Sequence, residues 1–440
     1  MRKLLAIITC KILRFVGKMI KRGSSLPGKY ALKIDPNILK KLKMPEYVIA
    51  VTGSNGKTST VEMIYQVLVK AGYSVAYNKE GSNQIEGVTT FLLENATLSG
   101  RIRKDVVLIE TDERYARHTF KHFVPTHYII TNLYRDQLTR NGHPEWIYDI
   151  IRDSIHDGSK LILNADEPLI ATYGIGHKNK VYYFGVDQYE EKEMPSVYDD
   201  GKYCPLCKGR MVYDYRHFNH VGNYHCTKCG FKHPEANYRV TEVDLSEGYL
   251  VLDDKYRIEL ALKSIYNAYN ILAAYSIALI MGIDGETVKE ALNGYILRNG
   301  RVVEFMAGDK KGTLLTSKHE NSISYDQSLR VAKSYAGDVT VFLMVDAISR
   351  KYFTSETSWL WDIDFEMLNS PNIKRIVIAG LYSSDVAERL LYADVDFAKV
   401  KVLKEIPAAI DYLKKEAVGH IYAITCFSDQ DKLLSRVEVL

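Results

Sequence analysis

The stretch Thr52-Gly-Ser-Asn-Gly-Lys-Thr-Ser-Thr60 gathers, within nine residues, the groups that hold a phosphate chain. Gly53 and Gly56 let bare backbone N–H groups approach the anion, Lys57 brings an ammonium to the terminal phosphates, and the Thr58 hydroxyl is a ligand of the type Mg²⁺ takes. The usual phosphate loop has a glycine five positions before the second one; here that position is Val51, so this is the Thr-Gly-x-Asn-Gly-Lys-Thr variant. A second group has different chemistry. Cys204-Pro-Leu-Cys207 and Cys226-Thr-Lys-Cys229 are two Cys-x-x-Cys knuckles separated by 18 residues. Four thiolates on two such turns close a tetrahedral Zn²⁺ site and leave no open position for water, which makes the metal structural. With the metal saturated, His217, His220 and His225 between the knuckles are expected to pack or face solvent.

These groups need a scaffold, and the hydrophobic pattern supplies one. Apolar runs at Tyr47-Val-Ile-Ala-Val51, Val106-Val-Leu-Ile109, Tyr128-Ile-Ile130 and Leu161-Ile-Leu163 alternate with helical patterns, the rhythm of a parallel α/β sheet. The phosphate loop lies between the first run and a helix through Val61, Ile64, Val67 and Leu68. The cysteine cluster interrupts the alternation, and a helix resumes over Asn267 to Met281. Past Arg301 a second alternation begins, with Leu314-Leu315, Val339 to Val345, Ile376 to Ala379, Val400 to Leu403 and Ile421 to Ile424. The expected organisation is an N-terminal basic segment over 1–45, a central ATP-binding domain over 46–300 with a zinc ribbon inserted at 201–235, and a C-terminal Rossmann-like α/β domain over 301–440.

At 440 residues and 46% hydrophobic, the chain has room for two or three packed domains. A net charge of +4 argues neither for nor against a polyanionic partner. Six cysteines, four of them clustered, do not form a secreted disulfide framework, and Cys10 and Cys426 are expected to be free thiols. The apolar run after Met1-Arg-Lys3 is too short and too soon interrupted by basic residues for an export signal, and no run approaches the roughly 20 residues of a membrane span. A cytoplasmic protein is expected. Residues 1–22 place Leu5, Ile8, Ile12, Val16 and Met19 at helical spacing among seven basic and no acidic residues. Such a stripe ordinarily docks on its own domain; the other reading is a helix at the inner face of a membrane.

The loop variant resembles the ATP loop of Mur ligases and folylpolyglutamate synthetases, and further matches follow in order. Ile109-Glu110-Thr-Asp-Glu113 resembles the segment whose first carboxylate holds a catalytic Mg²⁺, which gives Glu110 and Thr58 the magnesium. Thr131-Asn132-Leu-Tyr-Arg-Asp136-Gln137 resembles Thr-Asn-x-x-x-Asp-His, and Leu163-Asn164-Ala-Asp166-Glu-Pro168 resembles Leu-Asn-Ala-Asp-Asp-Pro. Tyr266-Asn267-Ala-Tyr-Asn270 resembles a nucleotide-contacting His-Asn-x-x-Asn helix start, and Gly300-Arg301 a Gly-Arg hinge. The resemblance assigns ATP to Thr52, Gly53, Asn55, Gly56, Lys57, Thr58, Ser59, Asn132, Asn267, Asn270 and Arg301. Taken singly, Glu110 could be a solvated carboxylate and Asn267 or Asn270 a helix cap. Ligation chemistry asks for such a set, because phosphate must be moved onto a carboxylate between two anions.

Ordinary Mur ligases lack the ribbon, which narrows the resemblance to the MurT family, together with Arg22-Gly-Ser-Ser-Leu-Pro-Gly28 and Ser358-Trp-Leu-Trp-Asp-Ile-Asp-Phe-Glu366. The resemblance implies a heterodimer with a GatD-like glutamine amidotransferase and amidation of the D-glutamate α-carboxylate in the lipid II stem peptide. ATP would form an acyl phosphate, and ammonia from the partner would displace the phosphate. It also implies that Glu356, two positions before Ser358-Trp359, completes the partner's Cys-His pair in trans. The chain departs from the pattern at Lys318-His-Glu-Asn-Ser322, at Ala347 to Thr354, and at Glu356, where aspartate is usual. Two other functions stay open: an amino-acid ligase on a peptidoglycan-like precursor that needs no glutaminase, and a nucleotide-gated scaffold or nucleic-acid binder using the ribbon. A nucleic-acid partner is not expected, since Glu110 and the ligase order have no purpose in a switch.

Overall fold

The computed structural model describes residues 1–19, 25–78, 83–187, 197–296, 302–348 and 356–440. Arg301, Gly300, most of the Arg22 to Ser25 stretch and the altered segment from 349 to 354 lie outside them. The chain divides into two compact units. The first takes Met1–Leu133, Glu145–Pro195 and Asp199–Leu297; the second takes Arg298–Leu440 and also Tyr134–Pro144 and Ser196–Tyr198. The short segment Tyr134–Pro144, which carries Asp136, thus groups with the second unit, while Thr131 and Asn132 of the same motif group with the first.

The first unit is built on a nine-stranded sheet in the order Tyr256–Glu259, Tyr249–Leu252, Tyr238–Asp244, Val181–Val186, Lys160–Asn164, His127–Ile130, Tyr47–Thr52, Val106–Glu110, Val75–Tyr77. The last seven in this order pair in parallel; the first two join antiparallel at the edge. Strand Tyr47–Thr52 is flanked by strands on either side and buried on both faces from Val48 onward, which is why its sequence is continuously apolar and not alternating. Helix Lys57–Lys70 follows it and packs against helix Ile265–Ile280.

Helix Arg2–Met19 packs on helices Leu26–Ile34 and Ile85–Asn95, but not by the expected stripe. The docked residues are Ala6, Ile7, Cys10 and Gly17, whereas Leu5, Ile12, Val16 and Met19 are 47–74% exposed. Small side chains at 6, 10 and 17 permit close approach. Lys11 donates to the Glu94 carbonyl at 2.9 Å, Arg14 pairs with the Glu94 carboxylate at 3.1 Å, and Lys18 pairs with it too, which fixes the rotation of the helix. Gly28 lets the neighbouring helix come equally close: a Cβ there would lie 1.9 Å from the Glu86 carbonyl. Burial pushes the Cys10 thiol up to about 12.

The second unit has a seven-stranded sheet in the order Val400–Leu403, Ile373–Ala379, Val339–Met344, His420–Cys426, Lys310–Ser317, Val302–Ala307, Glu438–Val439. The first five are parallel, and helices cover both faces. Ligand-binding loops of such a sheet lie beyond the carboxyl ends of its strands, and Lys318 and Asp346 stand there. No helix among the described residues is long and apolar enough to cross a membrane.

Candidate nucleotide site and cysteine cluster

Gly56, at φ 79°, caps helix Lys57–Lys70 without a side-chain cap. That conformation needs glycine, and a Cβ there would lie 2.2 Å from Asn270 Oδ1. The first N–H groups of a helix have no intrahelical acceptor and point toward where an anion would lie. The loop is held open from behind by Asn132, whose Oδ1 accepts from Asn55 N–H at 2.8 Å and whose Nδ2 donates to the Asn55 carbonyl at 3.0 Å. Thr52 is buried and donates to the Thr111 carbonyl at 3.2 Å, so it braces the loop and does not face outward.

Lys57 is buried, donates to the Gly53 carbonyl and pairs with the Glu113 carboxylate. Thr58 is exposed and donates to Glu110 Oε2 at 2.9 Å. The hydroxyl and the carboxylate expected to share a magnesium are therefore adjacent although 52 residues apart. Asn78 grips the Glu110 backbone from both directions, at 3.1 Å and 2.9 Å. Neither Glu113 nor Asn78 was singled out from the sequence; Glu113 lies in the same motif, but nothing at Asn78 marked it.

Across the loop, Thr60 donates to Asn270 Oδ1 at 3.2 Å. Asn267 is buried and its Oδ1 has no partner among the described residues, while its Nδ2 donates to the Leu262 carbonyl at 3.4 Å. A buried, unspent amide acceptor suits the exocyclic amino group of a base. The groups present thus fit a nucleoside triphosphate with magnesium.

In the second unit, Asn321 Nδ2 donates to Asp136 Oδ1 at 2.7 Å and Lys318 Nζ lies 3.4 Å from Asp136 Oδ2. Gln137 N–H donates to the Glu320 carbonyl at 2.9 Å, and both residues have positive φ, 49° and 52°. His319 Nε2 meets Ser428 Oγ at 3.0 Å. The segment Lys318 to Ser322, which departs from the expected pattern, is therefore clasped to the Asp136 motif. Glu356 is exposed and accepts from Ser358 N–H at 2.8 Å, a bond that lowers its carboxyl below the ordinary range.

The four cysteine sulfurs lie within 4.8 Å of one another. Cys204 and Cys229 are 3.6 Å apart and Cys207 and Cys226 3.5 Å. Gly209 N–H and Lys228 N–H point at Cys207 and Cys226 at 3.4 and 3.3 Å. Backbone donors from Cys229 and Lys228 hold the Cys226 thiol down at about 6, whereas burial pushes Cys204 up to about 12. The donor set fits a tetrahedral Zn²⁺.

Strands Met211–Phe218 and Val221–Cys226 form a hairpin on which the knuckles sit. It is anchored by the Asn164 to Pro168 motif. Asp166 accepts from Tyr269 Oη at 2.5 Å, from Val186 N–H at 2.8 Å and meets His233 at 2.7 Å, and its carbonyl takes Gly222 N–H at 2.9 Å. His220 meets Glu167 at 3.0 Å; burial disfavours its charge, but Glu167 outweighs this and its pKa is raised. His217 bonds the Val186 carbonyl at 3.0 Å, and His225 is exposed. Phe218 packs on Tyr266 with ring centroids 4.2 Å apart, beside Asn267. The ribbon thus buttresses the helix that bears Asn267 and Asn270.

This architecture is that of the Mur-type ligases. The model of the Mur ligase middle domain matches residues 51–208, and that of the MurT ligase C-terminal domain matches residues 319–429. Among solved structures, a pseudomurein peptide ligase type C from Methanothermus fervidus superposes with a TM-score of 0.69 at 21% identity, covering 91% of this chain and 80% of that one. MurF from Acinetobacter baumannii gives 0.65 at 17% identity, covering 92% and 80%. The subunit MurT of lipid II isoglutaminyl synthase (glutamine-hydrolyzing) from Staphylococcus aureus is 32% identical over 402 residues, 90% of this chain and 89% of the relative. The corresponding subunit from Streptococcus pneumoniae is 30% identical over 433 residues, 96% and 94%. The chain belongs to the MurT family, whose Mur ligase relatives are ATP-dependent ligases.

Proposed function

We propose that this chain is the synthetase subunit of a glutamine-dependent amide synthase, converting the α-carboxylate of D-glutamate in the lipid II stem peptide to D-isoglutamine. The observation that carries the substrate is the 32% identity across 90% of the chain to a lipid II isoglutaminyl synthase subunit. The site geometry supports the chemistry. Helix Lys57–Lys70 would present its N-terminus to the triphosphate, Lys57 would leave Glu113 for the terminal phosphates, and Asn267 would read the base. Mg²⁺, held by Thr58 and Glu110, would neutralise phosphate charge. The γ-phosphoryl group moves to a carboxylate oxygen, releasing ADP, and ammonia then attacks the carbonyl carbon and expels phosphate.

In this reading a GatD-like glutaminase supplies the ammonia, and the exposed Glu356 orients its catalytic histidine. Cys204, Cys207, Cys226 and Cys229 would hold a structural zinc. The enzyme would work at the inner face of the membrane, where its substrate is anchored. The test is reconstitution with a glutaminase, ATP, glutamine and lipid II, followed by mass spectrometry of the stem peptide. A carboxamide at D-glutamate is expected; an added amino acid without any need for glutaminase would replace this reading with the amino-acid ligase.

A further inference from the structure

Helix Arg2–Met19 carries more apolar surface than its docking uses. At 100° per residue, Leu5, Ile12, Phe15, Val16 and Met19 fall within an arc of about 100° opposite the docked Ala6, Ile7, Cys10 and Gly17. They are 53, 58, 68, 47 and 74% exposed. Helix Leu26–Ile34, which packs against this helix, also exposes Leu26 at 53% and Tyr30 at 46%. Single exposed hydrophobes are ordinary on a protein surface, but a contiguous patch of this kind marks an interaction site.

Charge chooses the occupant. Residues 1–34 hold nine Lys and Arg and no Asp or Glu. Lys11, Arg14 and Lys18 are spent on Glu94, while Arg2, Lys29 and Lys33 on the same two helices are exposed. A second copy of the chain packed on this face would bring two basic rims together. An anionic lipid surface satisfies both features, taking the apolar side chains into the acyl boundary and the cations among the headgroups. The helix cannot span a bilayer, so the contact is parallel to the surface.

We infer that the paired helices Arg2–Met19 and Leu26–Ile34 form a docking face for an anionic membrane surface. This builds on the membrane location given above but not on the amidation chemistry.

The test uses the full chain without nucleotide and vesicles free of any peptidoglycan precursor, so its outcome does not depend on the amidation reading. Sedimentation with vesicles containing phosphatidylglycerol should exceed that with phosphatidylcholine alone by on the order of tenfold and decline with salt. Replacing Ile12→Glu and Phe15→Glu together should cut partition by on the order of 100-fold, with melting temperature and ATP turnover unchanged. Lys29→Glu with Lys33→Glu, which keeps the stripe, should cut it by on the order of tenfold and weaken the salt dependence. Absence of vesicle binding, equal binding by both variants, or a concentration-dependent dimer dispersed by Ile12→Glu and Phe15→Glu in a protein that ignores vesicles would each overturn the inference.

Discussion

Asn78 holds Glu110 in place by a reciprocal pair of backbone hydrogen bonds, donating to its carbonyl at 3.1 Å and accepting from its N–H at 2.9 Å. The carboxylate beside Thr58 is thereby aimed through the backbone that carries it. Residues that orient metal ligands typically contribute 10–100-fold in affinity. Asn78→Ala is expected to raise the Mg²⁺ concentration for half-maximal ATP turnover by about that factor while leaving the saturated rate near wild type. A titration showing unchanged Mg²⁺ demand would show that Asn78 does not position a metal ligand.

Lys57→Ala should lower ATP turnover by roughly 10²–10³-fold, the typical effect of deleting one charged stabiliser. The structure adds a cost to stability that the sequence alone did not suggest, because the change removes the ammonium beside buried Glu113. The single variant should therefore melt earlier than wild type, and adding Glu113→Gln should restore the melting temperature without restoring turnover. Full activity in Lys57→Ala would sink the ligase mechanism.

One tightly held zinc per chain is expected in protein purified without chelator. Cys229→Ser, at the exposed knuckle, should lower both zinc content and melting temperature, since the knuckles themselves share only a small apolar cluster around Met211 and Tyr224. Elemental analysis that finds no zinc in the wild-type protein would refute the assignment.

Asp326 lies buried on helix Ser322–Ser334, where its Oδ1 accepts from Asp364 N–H at 2.8 Å and its Oδ2 has no partner among the described residues. Burial, joined by the charges of Asp364, Glu366 and Asp362, holds its carboxyl well above the ordinary 3.8. The native state thus keeps a proton that the unfolded chain releases, so this group's contribution is full below the unfolded value and is lost as pH rises through the native one. Asp326→Asn should stabilise the protein near neutrality by about 1–3 kcal/mol and flatten the decline. Thermal melts between about pH 4 and 8 decide it; parallel slopes for the two proteins would show Asp326 ionised in the fold.

Glu356→Gln should depress glutamine hydrolysis by the assembled complex by orders of magnitude while sparing ATP binding. The carboxylate is exposed and kept ionised by Ser358 N–H, as an orienting group must be. Unaltered hydrolysis would make it a turn-capping residue.

The strand, glycine turn and helix around Lys57 were legible because the chemistry lies in one contiguous string. The cysteine knuckles were legible for the same reason. Glu113 was visible only as part of a motif, since which of three acids meets Lys57 depends on the turn after strand Val106–Glu110. Asn78 and Asp166 carried no local signal for their roles: each acts on residues 20 to more than 100 positions away, and only the sheet order brings them together. The first helix was misread because its longest apolar stripe was taken for its docking face. Its orientation is set instead by three cations that converge on Glu94 and by the small residues beneath, which a hydrophobic pattern does not weigh. Arg301 remains a proposal from resemblance alone.

The packing of Phe218 on Tyr266 joins the metal hairpin to the helix that carries Asn267 and Asn270. If loss of zinc loosens that helix and weakens nucleotide binding by some factor, thermodynamic reciprocity requires that bound nucleotide raise the affinity for zinc by the same factor. A chelator would then strip the resting enzyme more readily than the working one, and cellular zinc supply would set how much of this ligase is competent before any substrate arrives.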